Sequence, residues 1–427
     1  MNKKLNGSIL TASLAALLLN SGGTAQAALP GAPLRLQEAE DRALQVDPMV
    51  AAYGERSEAQ THRATAAQTL PDPKLKLGLM NVPTDTFDLE QEAMTQMQVG
   101  VVQAFPRGKT RAIKSERARV MAGGEQARVQ ERRRLVLREV RTAWLEAFYW
   151  KQAAGIVNKN RALFRQLVEI TEGRYAAGRR NQQDYISAQL ELGVLDDRDI
   201  KIRSKEEVAR ARLAKWVGHG SAYRELPAEL PQLPPPGAVQ EVEQSLGAHP
   251  TLRVARAQVD ANMQGVALAR QTYKPGWMLD VTYGFRGGEN PNGTSRADFL
   301  SAMVLLEVPL FTGKRQDQQL DASQQELSAA QHMYDEQLSM LRRMFDTAHA
   351  QWERLGMRVE HFDAVLLPRA RENTVAALNA YQSERGDFTS LVRARIRQFE
   401  TELNALRVRV DRASAQAKLL YLVGDER

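Results

Sequence analysis

Cysteine is absent from the 427 residues. The chain can therefore form no disulfide, hold no thiolate-bound metal and carry no lipid on a terminal thiol. Aromatic residues make up only 6% of it and the mean hydropathy is −0.44, which suits long solvated helices better than a large globular core. The apolar run near the start, Ile9 to Leu19, follows Lys3 and Lys4 and precedes Ala25-Gln26-Ala27. It is too short to span a bilayer and reads as a secretory signal over residues 1–27, so the chain is expected to be exported. The six histidines show no ligand spacing, and no nucleophile–base set or paired-carboxylate motif stands out. No catalytic, cofactor or metal site is expected, and the chain reads as not an enzyme. Met94 and Met97 could offer soft thioethers to a copper or silver ion. The formal charge is +7, but the basic residues lie in runs such as "ERRRLVLREVR" (131–141), mixed with acids as on the wet face of a helix. That pattern does not favour nucleic acid as a partner.

What the chain does contain, it contains twice. "QAFPRGKTR" (103–111) sets Gly108-Lys109 ahead of a helix-forming run, yet Gln103 stands where a phosphate loop needs a glycine. The same Gly-Lys recurs as Gly313-Lys314 in "EVPLFTGKRQ", at an offset of 205. Pro48 and Pro73 fall on Pro250 and Pro275 at 202, Thr142 falls on Thr347 at 205, and Tyr175 falls on Tyr381 at 206. Register held along nearly the whole chain implies two repeats of one architecture, over 28–225 and 238–427. Between them "LPAELPQLPPPG" (226–237) reads as an extended, stiff linker. Each repeat is expected to run as a helix (about 35–68 and 238–271), a strand pair (73–105 and 275–311) and about a hundred helical residues (112–218 and 317–423). Helices this long must pack side by side as coiled coils.

Alternation marks the strands. Leu75, Leu77 and Leu79 face away from Lys74 and Lys76, and Met97, Val99 and Val101 face away from Gln98. Trp277, Leu279, Val281, Tyr283 and Phe285 oppose Asp280 and Thr282, while Ala302, Val304, Leu306, Val308 and Leu310 oppose Met303, Leu305 and Glu307. A soluble sheet packed on helices alternates in the same way, so a periplasmic coiled-coil scaffold is one reading. The other is a membrane barrel, with Trp277, Tyr283 and Phe285 as an interfacial aromatic girdle. Four strands cannot close a barrel, so that reading requires several chains, with Lys74, Lys76, Gln98, Asp280, Thr282 and Glu307 lining a wet channel.

The tandem repeat, the strand pairs set between long helices, "QAFPRGK" and "VPLFTGK" at the strand-to-helix passages, and "RYAAGRRNQQDYISAQ" (174–189) together resemble the outer-membrane factor family, the TolC-like channels of Gram-negative efflux and secretion systems. The resemblance implies a mostly α fold with a small β part. Each chain would give four transmembrane strands and a coiled-coil portion, and a homotrimer would build a twelve-stranded barrel continued by a twelve-helix tunnel. It implies an outer-membrane exit duct with a long periplasmic extension, fed by a periplasmic adaptor and an inner-membrane pump. "LPDPKLKLGLMNVP…MTQMQVGVVQAFPRGKTR" is similar to the heavy-metal branch, which works with proton-driven RND-type cation pumps; drugs or type I secreted polypeptides are the alternative cargo. Carried onto this chain, the adaptor-contact tips are Gly178, Arg179, Arg180 and Asn181, then Glu384 and Gly386, with Glu384 where a glycine is expected. The aspartate positions that constrict the periplasmic mouth in some members fall on Ser390 and Arg393, with Asp184 and Asp387 close by as substitutes or helix caps.

Overall fold

The computed structural model describes residues 31–177, 182–237 and 239–424; the expected leader, residues 1–27, lies outside them. The chain starts with α1 (Leu36–Val46) and α2 (Pro48–Gln68), where one helix over 35–68 was expected. Likewise the helix expected over 238–271 is α6 (Val239–Leu246) followed by α7 (Pro250–Gln271). The cause is the same in both. Proline has no N–H to give and disfavours helical geometry in the residue before it, so it starts a helix rather than continuing one. Asp47 caps α2, its carboxylate accepting from the Met49 and Val50 N–H groups at 3.0 and 3.1 Å. His249 caps α7 in the matching place, Nδ1 accepting from the Thr251 N–H at 3.2 Å.

Between α2 and α7 come β1 (Lys74–Met80), β2 (Gln96–Phe105), α3 (Thr110–Ala176), α4 (Gln182–Val217) and a short turn of helix, α5 (His219–Ala222). After α7 come β3 (Gly276–Phe285), β4 (Phe299–Glu307) and α8 (Gln316–His361). A π turn over Phe362–Leu366 joins α8 to α9 (Leu367–Gln382), and α10 (Phe388–Val423) follows. Pro368 sits at the start of α9, and the widened turn before it accommodates the missing N–H. At 67 residues, α3 is about 100 Å long.

The four strands form one antiparallel sheet in the order β1-β2-β3-β4. Beneath it α2, α3, α7 and α8 pack side by side in the same sequence, each on the next. The strands pack chiefly on one another, and no described helix is long and apolar enough to cross a membrane. Hydrophobic burial lies along the helices. Trp144 and Val140 of α3 are buried among α1, α4 and α10, the Trp144 indole N–H donating to the Leu34 carbonyl at 3.0 Å. Farther along, Phe164, Leu195, Phe388 and Phe399 form the core where α3, α4 and α10 run together. The proline-rich segment lies against these helices, Leu226 buried and Leu230 and Leu233 packed beside it. Gln416 of α10 donates to the Leu233 and Pro234 carbonyls.

Candidate functional site

Register decides which side chains share a face. Opposed residues of antiparallel neighbours point the same way, and Lys74, Val102, Asp280 and Met303 form one such row across the sheet. Lys76, Gly100, Thr282 and Ser301 form the next, and Gly78, Gln98, Gly284 and Phe299 another. Glu307 pairs with Gly276, two residues before Met278 and four before Asp280. All six polar residues singled out from sequence therefore stand on a single face.

That face carries a bonded cluster that sequence alone did not reveal. The Lys76 ammonium reaches Asp280 Oδ2 at 3.0 Å and Thr282 Oγ1 at 3.4 Å. The Thr282 hydroxyl donates to Asp280 Oδ1 at 2.7 Å. Lys76 is on β1 and its partners on β3, so it must reach across β2. It does so over Gly100, where a Cβ would sit 2.5 Å from Thr282 Oγ1. At the helix end of the sheet Arg107 donates to Glu307 Oε2 at 2.7 Å and to the Thr272 carbonyl at 2.8 Å. Gln98 donates to the Met80 sulfur at 3.2 Å.

The opposite face is apolar and bare. Leu77 is 70% exposed and Leu300 74%, in one row with Val99 and Tyr283. Aromatic pairs mark both ends of this face. Phe105 stacks on Trp277 with centroids 3.9 Å apart at the helix end, and Tyr283 meets Phe285 edge-on at 4.7 Å toward the loops. Six residues separate Trp277 from Tyr283 and eight separate it from Phe285, a band of about 20–27 Å, near the height of a lipid-facing belt. Met97 belongs to this face and Met94 to the loop before β2, so neither thioether joins the polar row. Val308 and Leu310, expected in the fourth strand, lie beyond β4, which ends at Glu307.

At the passage from β2 to α3, Gly108 has φ +47° and lies against Gln271 and Lys274. Gln271 Oε1 accepts the Lys109 N–H at 3.0 Å. A side chain at 108 would collide there, which accounts for the glycine without any phosphate. Gly313, its repeat partner, takes no such backbone conformation. The turn requires glycine in one repeat only.

At the far end of the helices, Gly178, Arg179, Arg180 and Asn181 lie outside the described residues. Flanking them, Tyr175 stacks on Tyr185 at 6.4 Å. In the second turn Glu384 adopts φ +60°, the left-handed conformation of the glycine expected there. The Arg385 and Gly386 N–H groups both donate to the Ala380 carbonyl, at 2.9 and 3.0 Å, closing the turn. Tyr381 is buried beside Phe388, with the Arg174 guanidinium 4.7 Å above its ring. Of the constriction candidates, Asp387 caps α10 by accepting from the Ser390 N–H at 2.5 Å. The Ser390 backbone and hydroxyl hold its carboxyl below the usual carboxylate range, with Arg393 assisting. Asp184 lies in the first turn of α4, and Ser390 and Arg393 are exposed.

Residues 242–425 match the family described as outer membrane efflux protein. The match spans most of the second repeat. No curated protein matches the chain by sequence. Among solved structures, the outer membrane protein VceC of Vibrio cholerae superposes with a TM-score of 0.76 at 17% identity, over 91% of this chain and 96% of that one. The CmeC outer membrane channel of Campylobacter jejuni gives 0.76 at 11%, over 98% and 94%. CusC, studied for its folding and transmembrane channel formation, gives 0.75 at 14%, over 92% and 93%. The family match over the second repeat and the shared fold bear out the resemblance to outer-membrane channels built from a helical tunnel and a β-barrel.

Proposed function

We propose that three copies of the chain close their sheets into one barrel and their helices into one tunnel. The assembly is the passive outer-membrane exit duct of a tripartite efflux system. The observation that carries this reading is the sheet: one face bare, apolar and banded by aromatics, the other carrying the bonded polar cluster. A soluble scaffold would cover those leucines with helices, and no described helix lies over them. In the duct the apolar face meets lipid, and Lys74, Lys76, Gln98, Asp280, Thr282 and Glu307 line water. Both sheet edges, β1 and β4, have unpaired backbone groups that neighbouring copies would satisfy.

For cargo we propose heavy-metal cations delivered by a proton-driven inner-membrane pump through a periplasmic adaptor. Support comes from the similarity of "LPDPKLKLGLM" and "QAFPRGKTR" to the metal branch. Growth of a strain lacking the gene, across gradients of copper, silver, zinc, cobalt and cadmium with dyes and detergents alongside, tests this. Sensitivity confined to metals is expected; sensitivity to dyes and detergents alone would move the cargo to drugs. Arg179, Arg180, Glu384 and Gly386 are proposed to meet the adaptor. Reversing the charge at Arg179 and Arg180 is expected to abolish efflux while trimers still form in the membrane; unchanged efflux would remove them from the contact.

A further inference from the structure

Where the sheet meets the helices, a cavity of about 700 Å³ opens among the helix-side ends of β2, β3 and β4 and the first or last turns of α3, α7 and α8. That is the size of a small-molecule site. Its strand residues Ala104, Met278, Leu305 and Glu307 belong to the polar face by register. Leu268 and Ala269 of α7 add to the apolar part of the lining. Charge is placed unevenly within it. Arg107 and Glu307 satisfy each other at 2.7 Å. Lys114 and Arg117, a turn apart on α3, make no ion pair among the described residues, and the Arg117 Nε is buried without a hydrogen-bond partner. Glu326 of α8 is the one other carboxylate of the lining, so a single positive charge is left over. Gly265 stands in the interior of α7 at the cavity wall, where a Cβ would meet nothing within 4 Å and the φ is not left-handed. Glycine is unfavourable inside a helix, and neither packing nor backbone geometry demands it here. Its effect is to keep the cavity open.

We infer that this cavity is a binding site for a singly charged organic anion with an apolar body, such as an aromatic sulfonate or carboxylate. The apolar body lies against Leu268, Met278 and Leu305. The head group takes the Lys114 ammonium and the Arg117 guanidinium, whose free Nε–H allows a two-point contact with two oxygens. Burial of apolar area supplies affinity, and the two cations of α3 supply the preference for an anion. Glu326 opposes a second negative charge on the ligand. The site is complete within one chain and goes beyond the duct reading, which adds only that three such cavities would ring the lumen where barrel passes into tunnel.

The test is calorimetric titration of the purified full-length protein, in a neutral detergent, with naphthalenesulfonate. Naphthylmethylammonium and uncharged naphthalenemethanol are the counterparts. Saturable binding of the sulfonate at one site per chain is expected, about tenfold or more tighter than either counterpart. Gly265→Leu puts a side chain into the open cavity and should abolish saturable binding. Arg117→Gln should weaken it about tenfold, with Arg117→Lys between. An unchanged helical circular-dichroism spectrum shows that each variant is folded, and if Gly265→Leu is not, Arg117→Gln carries the comparison. Equal binding of the ammonium, or one affinity for the wild type and the variants, overturns the inference and leaves the duct standing. Absence of any conductance in planar bilayers overturns the duct and leaves the site standing, because binding is read without a membrane.

Discussion

Single residues here do jobs that their neighbours make necessary, and several give sharp tests. Asp47 and His249 hold equivalent caps with different chemistry. Asp47 is steadied by two Arg132 contacts at 3.0 and 2.7 Å. His249 is buried and neutral. Its Nδ1 accepts the Thr251 N–H, so its Nε2 carries the proton donated to the Tyr421 carbonyl at 3.2 Å. Burial pushes its pKa down to about 4. The unfolded chain, with an ordinary imidazole near 6.5, takes up the proton first as pH falls. The contribution is therefore complete above about pH 6.5 and lost toward pH 4, by about 3 kcal/mol. Thermal unfolding of the detergent-solubilised protein between pH 7 and 4 should show this slope, and His249→Asn, which caps without titrating, should flatten it. Gly108→Ala must force a side chain into φ +47° and against Gln271, at a cost of at least about 1 kcal/mol. Glu384→Gly relieves a left-handed residue and is expected to raise stability by about 1 kcal/mol in the same assay. The glycine at 108 was visible in the sequence and its necessity was not, because that comes from α7, far away in the chain. The glutamate at 384 left the turn's shape open until the backbone showed it adopting the glycine conformation.

Among the elements, the strands were the most legible, since alternation fixes the face of every side chain once the register is known. Adjacent residues on β2 should then respond oppositely to the same substitution. Val99→Arg puts a cation at mid-band on the apolar face and is expected to cost about 2–4 kcal/mol in a membrane and to abolish heat-modifiable migration. Gln98→Arg, one residue away on the polar face, should leave the barrel intact. Equal behaviour of the two would refute the assignment of faces. The helices were legible in number and length and misread at their joints. Composition favours helix throughout 35–68, and only the backbone geometry imposed by Pro48 divides it. The Lys76–Asp280–Thr282 cluster could not be read at all, because residues two hundred apart meet only through the order of the strands. Gly100 was its one local trace, a strand glycine without a turn to explain it.

For the molecule as a whole, the element order comes twice, and the two copies have diverged at the joints between elements. Their tip sequences differ, their caps differ, and only one strand-to-helix passage requires its glycine. The π turn of Phe362–Leu366 fits this history with one further detail. Up to Thr142 and Thr347 the repeats keep an offset of 205; by Tyr175 and Tyr381 it is 206. The second copy is one residue longer between Thr347 and Tyr381, and that interval holds the π turn, whereas α3 runs through the corresponding stretch as unbroken α-helix. A helix gains about 100° of rotation with each residue, so an insertion would have swung Thr374 and Tyr381 off the buried side. A turn wider by one residue absorbs the addition and leaves both facing inward. Removing Ala364 together with Pro368→Ala should restore a plain helix and an assembled, functional protein, whereas deleting one residue from the middle of α3 should destroy it. The bulge then takes up the one residue by which the copies differ, and the helix keeps its buried face.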